Sequence, residues 1–530
     1  MTAVFNSLRH TTVLVLGMGD SGLAMARWCA RCGADVRVWD SRWGTAAGPP
    51  QAAALAEHVP GAQRLEGPLA PSALDGVHRV LKSPGLAPHD PRIAALLKQA
   101  REAGVGVQGE LDLFIQALRD LRAEQGYAPR VVAITGTNGK TTTTAMAAQM
   151  IARTGKRVAI AGNIGPTLLQ TLSDLLADVP AADVAATLPE VWVLELSSFQ
   201  LDGVTGFEPD AAAVLNLTED HLDWHGDMAR YTAAKARIFG PCTARVLNRD
   251  DEAVARLAPE PAPPAAARRG AGKARGTLPP RVLWFGLEAP RHAGDFGLIV
   301  EGGMAWLVRA QDQAELPRRG AAAPADADEL HLQRLMPADA MRVRGRHNAA
   351  NALAALALAT AIGCALAPML HGLREYRGEP HRLEFLGSVG GVDFFDDSKG
   401  TNVGATVAAL NGLGADKAPA KLLAILGGDG KGQDFAPLRE PVQRHARAVA
   451  TLGRDAAGVE AAMLGLNLKL VRHETLEAAT RWCFEQAQAG DAVLLSPACA
   501  SLDMFRNYAH RAEVFAQAYR TLASERGGLT

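Results

Sequence analysis

The sequence predicts an α/β protein of several domains, each an open, mainly parallel sheet with helices packed on it. Three observations lead there. At 530 residues, and roughly 150 residues per domain, the chain holds about three or four domains. Short apolar runs alternate with helix-length segments, as they do where crossover helices join parallel strands. Glycine and polar residues gather at the ends of those runs, where open α/β sheets hold their ligands. With 48% hydrophobic residues, 21% charged residues and a formal net charge of −1, a disordered chain is excluded, and there is no global basic field for nucleic acid or an anionic membrane.

The first segment opens with a strand over 12–16. The turn Gly17-Met-Gly-Asp-Ser-Gly22 and a helix through Arg31 follow, then a strand over 35–39 that ends at Asp40. In such a β-α-β unit the glycines let the backbone approach a diphosphate, and the helix N-terminus offers it free N–H groups. Asp40 lies where an acid reaches a ribose hydroxyl, so a dinucleotide, NAD or FAD, is the default ligand. A strand over 79–82 runs into Ser83-Pro-Gly85, a loop of the kind that rims a ligand crevice. Cys29 and Cys32 form a C-x-x-C, but the other four cysteines are scattered singly. Buried structural thiols are therefore expected there, ahead of zinc or redox chemistry.

A second α/β segment starts near Pro129. A strand over 130–134 leads into Thr135-Gly-Thr-Asn-Gly-Lys-Thr-Thr142 and an apolar helix. This is a shortened phosphate loop: backbone N–H groups cradle phosphate oxygens, Lys140 neutralises β/γ charge, and Thr141 offers a hydroxyl to Mg²⁺. Strands over 191–194 and 211–215 end at Glu195 and Asn216. A carboxylate at Glu195 is costly unless it meets a cation, so a Mg²⁺ ligand is expected there, with a helix-capping acid as the alternative. Asp220 and His221 follow the next strand; metal ligand and substrate contact are both open for His221. The alanine-rich stretch 349–370 is expected to be a buried helix, not a membrane span, because alanine is nearly neutral toward lipid. Met1–Thr12 has no apolar core of signal-peptide length, so a cytoplasmic protein is expected. Residues 258–280 and 309–328 read as surface-loop insertions.

The third segment begins near Gly378, with strands over 392–396, 421–426, 448–452 and 491–495. Three of them run into Gly427-Gly-Asp429, Gly453-Arg-Asp455 and Ser496-Pro497.

From Gly17 to about Phe515, apart from the two insertions, the chain resembles the Mur ligases of peptidoglycan synthesis. The resemblance is carried by Gly136–Thr142, Glu195-Leu-Ser-Ser-Phe-Gln200, Pro380-His-Arg382, Asp397-Ser-Lys-Gly-Thr-Asn402, Gly427-Gly-Asp-Gly-Lys-Gly432 and Ser496-Pro-Ala-Cys-Ala-Ser-Leu-Asp503. Within that family it is similar to the D-glutamate-adding members. The resemblance implies three α/β domains: 1–118, Rossmann-like, for a UDP substrate; 119–378, P-loop ATPase-like, with both insertions; and 379–530, Rossmann-like, for D-glutamate. It replaces the NAD default with a UDP site of Gly17, Gly19, Asp20, Ser21, Gly22, Asp40, Ser41 and Ser83, with Asn163 and His221 facing the muramoyl part or metal. ATP would lie on Gly136, Thr137, Asn138, Gly139, Lys140, Thr141 and Thr142, with Asn351, Arg382 and Asp397. D-glutamate would meet Lys399, Thr401, Lys431, Ser501 and Tyr508.

Two Mg²⁺ ions are implied, on Thr141, Glu195, His221 and Lys235. Lys235 is implied to be carbamylated, since an ammonium offers a metal no oxygen; read alone, it is a surface helix lysine. Lys140, Glu195, His221 and Lys235 form the implied catalytic set. The implied reaction is ATP-dependent ligation of D-glutamate to UDP-N-acetylmuramoyl-L-alanine through an acyl phosphate, in cell-wall biogenesis and so in cell shape and division. A monomer without nucleic-acid or membrane partners is expected. Water destroys an acyl phosphate, so closure is expected, with hinges near 119–129 and 376–380. Ala512 stands where the family has glycine, so a changed turn is expected at 510–512. An L-glutamate-adding relative, an NAD-dependent oxidoreductase with a fused P-loop domain and a non-catalytic nucleotide-binding regulator are the rival readings.

Overall fold

The structure, a computed structural model, describes residues 7–46, 48–177, 179–259, 280–312, 330–343 and 345–527. It contains three sheets. The first holds β1 (Thr12–Leu16), β2 (Asp35–Trp39), β3 (Gln63–Leu65), β4 (Arg79–Lys82) and β5 (Gly106–Gln108) in the order β3-β2-β1-β4-β5. All its pairs are parallel. The strand order reverses between β1 and β4, so the loops after them, Gly17 onward and Ser83 onward, open a crevice at one edge.

The second sheet holds β6 (Arg130–Thr135), β7 (Val158–Gly162), β8 (Val191–Glu195), β9 (Ala211–Val214), β10 (Ala244–Asn248), β11 (Val282–Phe285), β12 (Phe296–Glu301), β13 (Met304–Asp312) and β14 (Leu330–Pro337). Its order is β14-β13-β12-β11-β10-β9-β6-β8-β7. It is parallel from β7 to β12, and β12, β13 and β14 pair antiparallel. β6 lies between β8 and β9, which brings the loops after all three together.

The third sheet holds β15 (Glu384–Val389), β16 (Val392–Asp396), β17 (Leu422–Gly427), β18 (Ala446–Leu452), β19 (Lys469–Arg472) and β20 (Ala492–Leu495), in the order β15-β16-β20-β17-β18-β19. Only β15–β16 is antiparallel.

The central core shows why the alanine-rich stretch is not a span. Residues Arg346–Ala361 form a helix whose Ala352 to Ala359 are fully buried against the helix Lys140–Ala152 and the sheet. Alanine permits close helix approach, and Leu353, Leu356 and Leu358 fill the space; truncating one of these leucines costs about 2–5 kcal/mol. The helix stops at Ile362, Gly363 takes φ +85°, and a second helix runs over Leu366–Glu375. Thus 349–370 is two helices, not one. No described helix is long and apolar enough to cross a membrane. Cys29 and Cys32 are buried free thiols, and burial raises both, Cys32 to about 12.

Two expectations need correction. Arg309–Asp312 are not loop: they complete β13 and pair with β14. The alternation of exposed and buried positions there mimics a polar loop in sequence. Residues 260–279 and 313–328 lie outside the described residues. There is also no altered turn at 510–512, because Tyr508–Glu525 is one helix with Ala512 buried inside it. Its start is fixed by Asn507, whose Oδ1 accepts from His510 N–H at 2.8 Å. The expected border at 118–119 falls inside the helix Glu110–Gln125, which ends at Gly126 with φ +67°.

Candidate active site

The loop after β6 is shaped by two glycines with positive φ, Gly136 at +153° and Gly139 at +79°. At Gly139 a Cβ would come within 2.4 Å of Asn351 Oδ1, so glycine also makes room for the helix Arg346–Ala361. Asn138 is locked from behind: its N–H donates to Asn216 Oδ1 at 2.7 Å, and Asn216 Nδ2 donates to its carbonyl at 3.0 Å. Lys140 Nζ folds back to donate to the carbonyls of Gly136 and Thr137, at 3.0 and 2.7 Å.

Lys235 is 2% exposed, and its Nζ donates to the same Gly136 carbonyl at 2.8 Å. Burial first, and then the neighbouring Lys140 cation, hold the Lys235 ammonium well below its ordinary range. Burial lowers Lys140 as well. Lys235 is thus no surface lysine; its helix, Met228–Ala236, turns it into the core, out of reach of a sequence reading.

Glu195 closes the other side. It is 1% exposed, its Oε1 accepts from Asn163 Nδ2 at 2.7 Å, and its buried Oε2 has no partner among the described residues. Thr141 Oγ1 accepts from Arg382 Nη2 at 2.6 Å, a bond from the third unit to the phosphate loop. His221 sits at φ +55° with its ring centroid 4.7 Å from that of Phe199. Burial lowers the imidazole to about 4, with Lys431, Lys140 and Lys235 adding to the effect and Asp220 opposing it.

Two clefts flank these residues. The first, of about 300 Å³, is lined by Asn138, Gly139, Thr142, Asn351, Arg382, Asp397 and Lys399. Asp397 accepts from Ser496 Oγ at 2.7 Å, and burial raises it to about 7. The second, of about 740 Å³, is lined by Gly17, Gly19, Asp20, Ser21, Asp40, Ser41, Ser83 and Asn163. Gly22 does not line it. A Cβ there would lie 1.9 Å from the Gly17 carbonyl, so its role is to let the helix seat against the turn. Asp40 is not free for a ribose: it accepts from Met18 N–H at 2.7 Å and from Arg42 Nε and Nη2 at 2.8 and 2.7 Å. These bonds hold its carboxyl at about 2 against the opposing effect of burial. Arg42 and Arg92, the latter donating to Ser41 Oγ at 2.8 Å, bring two cations to this cleft that the sequence reading missed. Arg42 directly follows Ser41 and was legible; nothing local marks Arg92.

Lys399 stands 5.3 Å from the centroid of the Tyr508 ring. Lys431, from the loop after β17, reaches within 3.9 Å of Asp220 Oδ1 in the central unit. Thr401 and Ser501 lie on the loops after the adjacent strands β16 and β20. Of the six described non-glycine residues with positive φ, Leu383 lines the first cleft, His381 adjoins Arg382 of that lining, Ala498 N–H donates to the Gly400 carbonyl there, and His221 and Lys431 meet at Asp220. Strain concentrated in this way is typical of a working site.

Residues 11–109 match the family model for a Mur ligase MurD-like N-terminal domain, 134–273 that for a Mur ligase middle domain, and 381–499 that for a Mur ligase glutamate ligase domain. The chain is 56% identical to a UDP-N-acetylmuramoylalanine–D-glutamate ligase of Albidiferax ferrireducens over 98% of both chains. It is 54% identical to the ligase of the same name from Burkholderia pseudomallei over 99% of both. Among solved structures, UDP-N-acetylmuramate-alanine ligase of Thermotoga maritima superposes with TM-score 0.54 at 19% identity, over 97% of this chain and 100% of that one, a likeness of fold.

Proposed function

Because the chain belongs to the Mur ligase family, we propose that it joins D-glutamate to UDP-N-acetylmuramoyl-L-alanine in an ATP-dependent ligation of peptidoglycan synthesis. The observation that carries this reading is Asn163. It lines the second cleft and at the same time holds Glu195 beside the phosphate loop. A carboxylate at the end of a substrate in that cleft therefore meets the γ-phosphate of a nucleotide in the first.

The second cleft takes the UDP part, with Arg42 and Arg92 as diphosphate cations and Asp40 as the brace of the glycine turn. The carboxylate of the alanyl end attacks the γ-phosphorus, the bond to ADP breaks, and an acyl phosphate forms. Lys140 and Arg382 balance the charge on the moving phosphoryl group. The amine of D-glutamate, held by Lys399 and Lys431 through its carboxylates and flanked by Thr401, Ser501 and Tyr508, attacks the acyl carbon, loses a proton and expels phosphate.

The donor set fits Mg²⁺: the orphan oxygen of Glu195 and the Thr141 hydroxyl are hard oxygens, His221 is a neutral imidazole, and an unprotonated Lys235 can take up CO₂ to become a carbamate. Bound there, Mg²⁺ supplies charge neutralisation for phosphoryl transfer. On this reading the enzyme is a cytoplasmic monomer of three units, the first running to the end of the long helix at 125, the second from there to 378 and the third over 379–530, with its first hinge at 126–129.

Phosphate release from MgATP with UDP-N-acetylmuramoyl-L-alanine tests the reading. Release that requires D-glutamate supports it. Release with L-glutamate alone, or none with either, refutes it.

A further inference from the structure

We propose that Asn402 is a positioning residue that holds the third unit against the phosphate loop, so that closure over the amino-acid site and alignment of the nucleotide are one event. The coupling to catalysis rests on the function proposed above; the holding role does not.

Asn402 is 5% exposed and stands before the helix Val403–Lys417. Its Oδ1 caps that helix, accepting from Ala405 N–H at 2.9 Å, and this fixes which end of the amide is the nitrogen. Nδ2 then points across the boundary between units. It donates to Asn138 Oδ1 at 3.0 Å and lies 3.5 Å from Asp220 Oδ2. Capping needs only the oxygen, and serine or threonine would serve; the NH₂ group is the part that needs explaining.

Its acceptor belongs to a residue anchored at its backbone. Asn138 is held through its backbone by Asn216, and Asn248 Nδ2 donates to the neighbouring Leu215 carbonyl at 2.9 Å. A ladder of amides therefore runs from the ends of β9 and β10 through the phosphate loop to the third unit. Asp220 gathers Asn402, His221 and Lys431 at one carboxylate. The approach is close: a Cβ at Gly404 would lie 3.1 Å from Asn138 Nδ2 and 3.2 Å from Thr218 Oγ1. Asn402 does not line the nucleotide cleft, yet Lys399 and Thr401 share its loop. It thus registers the position of the unit, not the presence of nucleotide.

Asn402→Ser separates the two roles, because serine keeps the cap and cannot reach Asn138. The first readout needs no reaction: the distance between dyes on exposed Glu252→Cys and Glu477→Cys, in a Cys242→Ser background of the full chain. The variant is expected to shift toward a longer distance while its melting temperature stays within about 2 °C of the parent. An unchanged distance distribution overturns the holding role.

The second readout is the proposed ligation. One lost hydrogen bond is expected to lower kcat about fivefold, with the KM for ATP within about twofold. Asn138→Ala and the double variant complete a cycle, and the double is expected to be no worse than the poorer single. Additive losses, or a kcat for Asn402→Ser within twofold of the parent, overturn the coupling. A parent chain without D-glutamate-dependent turnover refutes the proposed function and leaves the distance measurement to decide the holding role.

Discussion

Glu195→Gln should abolish turnover without weakening the fold. Glu195 is buried, one oxygen is satisfied by Asn163, and the other has no partner among the described residues. A buried polar atom left unpaired costs about 1–3 kcal/mol, here partly offset by attraction to the nearby Lys140. Glutamine keeps the acceptor for Asn163 and removes the charge. The two effects nearly cancel, so the ligand-free melting temperature should move by less than about 4 °C.

The metal-linked term should not survive. A ligand at about 100 times its Kd stabilises a fold by about 2.7 kcal/mol. The parent should therefore melt higher with MgATP than with ATP and a chelator, and the variant should lose most of that difference. Turnover should fall by about a thousandfold, the scale of losing one preorganised charge at a phosphoryl centre. Differential scanning fluorimetry with and without Mg²⁺, beside the phosphate-release assay, reads both. Full retention of the Mg²⁺-dependent shift would refute the assignment, and so would a ligand-free collapse of 10 °C or more, roughly, which would make Glu195 a structural brace.

Lys235→Arg should be inactive and unaffected by bicarbonate, whereas parent enzyme stripped of CO₂ should regain activity when bicarbonate is added; equal bicarbonate response in both would rule out a carbamate at this position. Lys431→Ala should raise the KM for D-glutamate about tenfold and that for ATP less than about twofold, and steady-state kinetics showing equal effects would move Lys431 out of the amino-acid site. Asp40→Asn should cost about 1–2 kcal/mol near pH 7, after allowing for the half-exposed Arg42 partner. Because Asp40 titrates near 2 when folded and near 3.9 when unfolded, its stabilisation is complete above about pH 5 and fades as pH falls toward 2. The gap in melting temperature between parent and variant should therefore narrow across that range; a gap that widens on acidification contradicts the pairing.

The fold class was legible because parallel strands buried on both faces leave continuous apolar runs, and β1, β6, β8 and β9 have that form. Strands such as β3, β5 and β19 are short and largely exposed, so they carry little apolar signal. β13 and β14 alternate like polar surface.

The candidate site divides in the same way. Gly136–Thr142, Glu195 and the Gly17–Gly22 turn are local motifs, in which a backbone shape and its chemistry occupy neighbouring residues. Sequence by itself determined these, together with the three-sheet architecture. Tertiary structure decided the rest: that Lys235 is buried against the Gly136 carbonyl, that Asp40 is consumed by Arg42, that Arg92 reaches the cleft beside the Gly17 turn, and that Asn402 meets Asn138 across 264 residues of chain. The physical reason is range. A turn or cap is fixed by dihedrals within a few residues. A cation's neighbours, its desolvation and hence its protonation depend on which loops the sheet order places side by side.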